Sequence, residues 1–499
     1  MKLSLRQEEV SILIRVRDFL AQEKIDAYLV GGYVRDALLD RPTRDIDIAV
    51  SASAPEAAQK VAAALNARYV LLDEINEIAR VVLVEGYSAK GRWHLDFSTI
   101  REGIEENLSH RDFTIDALAI DLKELEAAST ARLIDPFQGK KDLEKGIIRA
   151  VSGAAFEDDP ARLLRAVRLA AEYGFIIEER TEALIQSQAR LICQVAGERV
   201  REELCRLLSV RSAAPFLYYL DRLGLLTAIF PELTATKGVE QPIEHYWDVF
   251  QHSIETVAAL ERLLQSKAPL QEDAVLSAVP RIPGLRQHFE EEVSHGVSRF
   301  VSSKLAALLH DIAKPQTKST EPNGRARFLG HTKQGAAMAG DILQRLRFSN
   351  KEIKTVQKII ESHLRLWQIG GEGKPTHRAV YRFFRDTEDA SIDILFLTLA
   401  DFLAAQGPDL DMTEWQQHCQ MIEYIWSEHE KEEARIVPRK LIDGHDLIDI
   451  FRLEPSPIIG QLLEAVREAQ GVGEVSTREE ALAFARRQLA QCKPSEKVV

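Results

Sequence analysis

Apolar residues recur at helical spacing from the start of the chain. Val10, Leu13, Ile14, Val16 and Leu20 lie within residues 5–24 and predict a helix. From Ala27 to about Asp121 the period shortens. Six runs, AYLV, DIDIAV, ARYVLL, ARVVLV, WHLDFSTI and ALAIDL, read as strands separated by turn residues, which predicts a mostly β sheet with two or three helices. From Phe156 the pattern becomes long and helical, beginning with DPARLLRAVRLAAEYGF, where Pro160 suits a first turn and Gly174 a C-terminal cap. Residues 266–300 mix proline and charge and predict an insertion or long connection. A break near Pro438, after SEHEKEEAR, sets off a last helical unit, and CKPSEKVV predicts a frayed end.

A chain of 499 residues exceeds one ordinary core and predicts several domains. With 45% hydrophobic and 28% charged residues it is core-forming rather than disordered. The net charge of -13 excludes a uniformly basic nucleic-acid coat, although a local basic groove on an acidic body remains open. Cys193, Cys205, Cys419 and Cys492 are too few and too scattered for a disulfide framework, so a reducing cytoplasm is the expected location. The N-terminal MKLSLRQEEVSILIRVRDFL lacks the uninterrupted apolar core of a signal peptide, and no membrane partner is expected.

The stretch GGYVRDALLDRPTRDIDIAV, residues 31–50, carries the first chemistry. On a strand, Asp45 and Asp47 project to one side while Ile46 and Ile48 point to the other. Two carboxylates held close repel unless a cation sits between them, and Mg²⁺ favours oxygen ligands together with substrate phosphates. Gly31 and Gly32 follow a strand and precede a helix, so their N–H groups are candidates to hold a triphosphate beside the metals. Arg35 either adds charge there or braces the loop. Alone, GG is a tight turn and DID an edge strand; at this spacing, together, they point to a metal-bound nucleotide.

GGYVRDALLDRPTRDIDIAV closely resembles the signature of the class II tRNA nucleotidyltransferase and bacterial poly(A) polymerase family, within the polymerase-β-like superfamily. The resemblance continues in HRDFTIDALAI, where Arg111 and Asp112 match a pair implied in ribose recognition, while His110 and Asp116 replace the usual Arg and Asn. LIDPFQGKKDL is similar to the motif linking head to neck, through Asp135, Gly139 and Asp142. Asp158-Asp159-Pro160-Ala161-Arg162 resembles the EDxxR motif, with Asp158 in place of glutamate. A carboxylate accepting from the exocyclic amine of cytosine or adenine, beside an arginine donating to the ring nitrogen, mimics a base pair. Asp159 and Arg162 are therefore the implied nucleotide-selecting pair, with Arg165 and Arg168 further along the helix as candidates for phosphate or base. Asp96 is a candidate third metal carboxylate. GERVREELCRLL, GLLTAIFPEL and LIDGHDLIDIFRLEPSPIIGQLLEAV resemble the family's neck, body and tail, the last implying an RNA-binding surface.

A second set, His252, His310-Asp311, His331, His363 and Asp401, resembles an HD-domain ligand set in the order H…HD…H…H…D. Imidazole and carboxylate together bind divalent transition metals, and a two-metal site activates water for attack on a phosphoester.

The resemblance implies an α+β, mostly helical protein: a polymerase-β-like nucleotidyltransferase α/β head (1–150), a helical neck (151–215), an HD-type body (216–430) and a tail (431–499). It implies template-independent addition of CCA, or of CC or A alone, to tRNA from CTP and ATP by a two-metal mechanism, with two Mg²⁺ ions at Asp45 and Asp47. The alternatives are a poly(A) polymerase, or an HD phosphohydrolase acting on cyclic nucleotides or terminal phosphates. Base choice is expected to depend on the loop at 83–94, and the oligomeric state is left open.

Overall fold

The computed structural model of the protein describes residues 5–83, 92–125, 132–242, 244–265, 273–370, 373–433, 440–471 and 473–492. Most of the 83–94 loop, the break at Pro438 and the last seven residues lie outside this set. The described residues form two compact units. One comprises Met1–Val210 and Tyr219–Ile229, the other Arg211–Tyr218 and Phe230–Val499.

The first unit is built on a seven-stranded sheet of β1 (Ala27–Val30), β2 (Asp45–Val50), β3 (Arg68–Asp73), β4 (Ile78–Val82), β5 (His94–Thr99), β6 (Ala119–Asp121) and β7 (Leu133–Ile134). The strand order is β3-β4-β5-β2-β1-β6-β7. Only β2 and β5 run parallel; the other pairs are antiparallel. The six expected strands are present. The two-residue β7 was not expected, because its residues read as part of a turn motif.

One sheet face is covered by α1 (Gln7–Gln22) and α3 (Ala54–Leu65), whose Leu13, Val16, Ala58 and Val61 pack on Leu29, Ile46, Ile48, Leu95 and Phe97 in a continuous core. That burial is the periodicity of the two elements meeting: 3.6 from the helices, 2 from the strands. The short α2 (Gly31–Leu38) follows β1 without a connecting loop. Beyond the sheet, α4 (Ala161–Tyr173) packs on α5 (Gly197–Ser209). The neck is not wholly helical: Ile147–Ile148 pairs in parallel with Ile176–Ile177.

The second unit is helical, with small antiparallel hairpins. Its centre is α6 (Val249–Gln265), α7 (Arg299–Leu309), α8 (His331–Arg345), α9 (Asn350–Ser362) and α10 (Ser391–Gln406). The described part of 266–300 is ordered structure rather than a bare connection. It holds the helices Ala274–Ser277 and Leu285–Glu290 and a hairpin of Glu292–Ser294 with Val297–Ser298. Asp393, fully buried, fixes that region by accepting from Arg299 at 3.0 Å and Ser303 at 2.8 Å, with His288 at 2.9 Å. Helices Gly444–Phe451, Pro457–Gly471 and Arg478–Cys492 form a separate small core. Glu468 joins it to helix His377–Thr387 through Arg382 at 2.7 and 2.6 Å and Arg385 at 3.0 Å. One stretch among the described residues, His377–Asp409, has the length and hydropathy to cross a membrane, but 72% of that window is buried inside the protein.

Candidate functional site

In the sheet, Asp47 sits opposite Asp96 across the parallel β2–β5 pair, and Asp45 sits opposite His94. Three carboxylates thus share neighbouring positions. They are not equivalent. Asp45 is exposed, with its Oδ1 at 2.9 Å from His94 Nδ1. Asp96 accepts both nitrogens of Arg80 at 2.7 Å, Arg80 lying opposite it on β4. Asp47 is half-buried: desolvation pushes its carboxyl up to about 6, against the pull of Arg111 and with further push from Asp96 and Asp116.

The double glycine brings the backbone close to this carboxylate. Gly31 has φ of +66°, a left-handed value that favours glycine. A Cβ there would lie 3.0 Å from Arg111 Nη1 and 3.4 Å from Asp47 Oδ2. Gly31, Asp47 and Arg111 therefore converge on one small space. Of the two glycine N–H groups, Gly31 donates to Leu118 O at 3.2 Å, so it is spent in the sheet rather than left for a phosphate. Arg35 braces the loop. It is buried, donates to Asp116 at 2.5 Å and Asp36 at 2.9 Å, and lies over the Tyr173 ring at 4.6 Å. Burial and Asp112 push the Asp116 carboxyl up while Arg35 pulls it back, so the buried arginine is its matching cation.

The remaining head residues fall into two groups. Asp112 is buried against Arg165 Nε at 2.9 Å, and its carboxylate is lowered by Arg165, Arg162 and Arg111 in spite of burial. Asp135 accepts the N–H groups of Gly139 at 2.6 Å and Lys140 at 3.0 Å, while Asp142 takes the Thr114 hydroxyl at 2.8 Å and Arg149 Nε at 2.9 Å. These two aspartates hold a turn.

Asp159 and Arg162 stand at the start of α4, but not as a bare pair. Asp159 is gripped by Arg199, Nη1 to Oδ1 at 2.9 Å and Nη2 to Oδ2 at 2.7 Å, and also accepts Ala161 N–H at 3.2 Å. Arg162 donates to Ala155 O at 3.1 Å and His110 O at 2.8 Å. Arg168 is misplaced as a nucleotide ligand. It is 2% exposed and locked between Glu203 and Glu172, because its helical position faces α5. Arg199, Arg80 and His94 were not singled out from sequence. Their signal is cross-strand register and helix packing, not spacing.

The second centre lies in the second unit, where five helices bring the six expected residues together. His252 comes from α6, His310-Asp311 from the end of α7, His331 from the start of α8, His363 from the end of α9 and Asp401 from α10. His252 Nε2 is 2.9 Å from Asp401 Oδ1; His310 Nε2 is 3.2 Å from Asp311 and 3.5 Å from Asp401. Helix ends set the ring orientation. His310 Nδ1 lies 2.8 Å from Ala307 O, His363 Nδ1 2.7 Å from Ile360 O and His331 Nδ1 2.6 Å from Phe328 O. A carbonyl only accepts, so Nδ1 carries the hydrogen and Nε2 turns a lone pair inward.

His331 Nε2 and Asp311 Oδ1 are buried without a hydrogen-bond partner, while Asp311 Oδ2 is shared between the Lys314 ammonium at 2.6 Å and His310 Nε2 at 3.2 Å. Among the described residues, ligand atoms gather within 4.8 Å of one another in His252–His310–Asp401 and in His310–Asp311–His363. Burial and His310 push His363 down to about 4. Burial opposes the protonated form of His310 too, yet Asp311 and Asp401 outweigh it and raise that ring to about 10. Such a donor set fits a divalent cation, which would take the place of the proton. Lys314, at 2.6 Å from both Asp311 and Gln241, is a further member that sequence reading left out.

The comparisons with known proteins follow the same division. The family described as "Poly A polymerase head domain" matches residues 27–149. "Probable RNA and SrmB- binding site of polymerase A" matches 174–237, and "HD domain" matches 284–406, which includes every member of the second centre except His252. The A-adding tRNA nucleotidyltransferase of Deinococcus radiodurans is 31% identical over 468 residues, 92% of this chain and 95% of that protein. The CC-adding tRNA nucleotidyltransferase of Thermus thermophilus is 31% identical over 94% of each. A solved structure described as the complex of CCA-adding enzyme with ATP shares the fold, with a TM-score of 0.64 over 97% of each chain at 22% identity.

Proposed function

The chain belongs to the tRNA nucleotidyltransferase and poly(A) polymerase family, and on that premise we propose that it adds nucleotides to tRNA 3′ ends from CTP and ATP, building all or part of CCA. The observation that carries this reading is the convergence of Gly31, Asp47 and Arg111 on one space beside the strand that bears Asp45. There the nucleotide's phosphates meet the Arg111 guanidinium, and Asp45 and Asp47 supply oxygen ligands for a divalent cation, Mg²⁺ being the one their chemistry favours. Cations held by these carboxylates would lower the pKa of the RNA 3′-hydroxyl and stabilise the departing pyrophosphate. The new bond joins O3′ to the α-phosphorus as the bond from that phosphorus to pyrophosphate breaks. Asp159 and Arg162 read the base, and Asp112 with Arg165 supports the ribose end.

Relatives over more than nine-tenths of this chain are named for tRNA, which favours tRNA over poly(A) synthesis. Cys193, Cys205 and Cys419 are thiols rather than disulfide partners, in keeping with a cytoplasmic site of action. The test uses transcripts of one tRNA ending at the discriminator base, at C or at CC, with labelled CTP or ATP. Extension that stops within CCA is expected, and its start and end point separate full from CC-only or A-only addition. Long A tails on any transcript would establish the poly(A) polymerase instead.

The inward-facing atoms without partners favour a second reading for the HD centre, a metal-dependent hydrolase of cyclic nucleotides or terminal phosphates. There His252, His310, Asp311, His331, His363 and Asp401 would hold the cation, and Lys314 would offer its ammonium to the phosphate. Ring opening of 2′,3′-cyclic nucleotides to the nucleoside monophosphate, water adding at phosphorus as one ribose P–O bond breaks, abolished by His310→Ala with nucleotide addition intact, is the expected result.

A further inference from the structure

We infer that Arg199 is a positioning residue for base selection: its fork holds the Asp159 carboxylate as an acceptor aimed at the incoming base, so that amine-bearing bases are accepted and carbonyl-bearing ones are refused. This rests on the reading of Asp159 given above.

Three charged rungs join α4 and its leading turn to α5. Arg199 grips Asp159 at 2.9 and 2.7 Å, Glu203 meets Arg168, and Arg206 Nε reaches Glu172 at 3.2 Å. On α5 the residues fall at i, i+4 and i+7, one face of the helix. Two of these rungs bind only residues within the helix pair. The first is different, because its carboxylate is the candidate base reader.

Three features set Asp159 apart. Both of its oxygens are engaged in a bidentate pair, the geometry that fixes a carboxylate plane as well as its charge. The Ala161 N–H gives a third contact at the helix start. Burial pushes the carboxyl up, but the Arg199 hydrogen bonds and charge prevail and hold it below the usual range, with Arg162 adding to them. An ionised carboxylate has acceptor sites only. Oδ1 is filled by the fork and the Ala161 N–H, so it is Oδ2 that keeps a lone pair outside the fork, suited to the N4 amine of cytosine or the N6 amine of adenine. The O4 of uracil and the O6 of guanine meet repulsion there. Arg162 cannot take over the task of orienting Asp159: its terminal nitrogens donate to the Ala155 and His110 carbonyls, and its Nε is 3.9 Å from Asp159. Arg199 lies 40 residues away in sequence and is held by α5, so the reader's geometry is set by a second helix.

The experiment measures kcat/KM of the full-length protein for CTP and ATP against UTP and GTP on the tRNA transcripts. Arg199→Gln is compared with Arg206→Gln, a rung of matched exposure (55% and 52%), and with Arg199→Lys and Asp159→Ala. Thermal melting of each variant accompanies the kinetics. We expect Arg199→Gln to lower amine-over-carbonyl discrimination by about tenfold, Arg199→Lys to restore part of it, and Arg206→Gln to leave it unchanged while lowering the melting temperature similarly. If Arg199→Gln and Arg206→Gln behave alike in discrimination while Asp159→Ala loses it, Arg199 is a plain structural rung and the inference falls. If Asp159→Ala itself keeps full discrimination, the base reader lies elsewhere and the inference falls with it. Should Arg199→Gln fail to fold, Arg199→Lys decides: an ammonium has no planar fork, so full wild-type discrimination in that variant overturns the role.

Discussion

Gly139 has no room for a side chain. A Cβ there would stand 1.9 Å from the Thr114 carbonyl oxygen and 3.1 Å from Leu118 Cδ2, a collision with backbone that no rotamer relieves. Gly139→Ala should therefore destabilise the first unit by about 3 kcal/mol, the upper end of overpacking costs, read from a urea melt of that transition. Asp47 makes the opposite case, a residue whose cost is accepted for chemistry. Its burial among Asp96 and Asp116 is unfavourable in the absence of a cation. Asp47→Ala should lower kcat by at least about a hundredfold while the protein's melting temperature holds or rises. Near-normal turnover in that variant would refute the proposed catalytic strand.

Helix α7 carries an ion pair that belongs to the fold and not to either site. Lys304 Nζ meets Glu261 at 2.7 Å with both side chains buried, and Glu261 also accepts Ala213 N–H at 2.6 Å. Burial pushes the Lys304 amine down to about 8 from 10.5, although Glu261 pulls it back. The unfolded chain then binds the proton more tightly, so between pH 8 and 10.5 this residue makes stability rise with pH, and below pH 8 it contributes no slope. Lys304→Met should flatten that rise relative to wild type. Denaturant melts at pH 7, 8, 9 and 10 provide the comparison, and parallel profiles would contradict it.

At the scale of the whole molecule, the chain divides into two compact units with the Gly31–Gly32 loop in one and the histidine cluster in the other. A cation bound only by the folded second unit stabilises that unit by mass action. Calorimetry should resolve two transitions. Chelation is expected to lower one of them by several degrees and leave the other unmoved, with bound metal measured directly in the same samples. A His310→Ala, His363→Ala double variant should carry no metal and lose the chelator response. Retained stoichiometric metal would dismiss the HD cluster as its site.

Sequence determined what depends on neighbours along the chain. The alternation in DIDIAV put Asp45 and Asp47 on one face, and the apolar period of α1 placed Leu13 and Val16 in the core. The order of the histidines and aspartates marked the second centre, because each stands in a local helix or directly at its end. Tertiary structure decided what depends on partners far along the chain. Arg80 faces Asp96 through strand register, Arg35 turns to Asp116 instead of to a phosphate, and Arg168 is buried by α5 although it shares the spacing of Arg162 and Arg165. Arg199 reaches Asp159 only because two helices pack side by side. Local spacing fixes which face of an element a residue occupies; the charge that answers it comes from whatever the fold brings against that face.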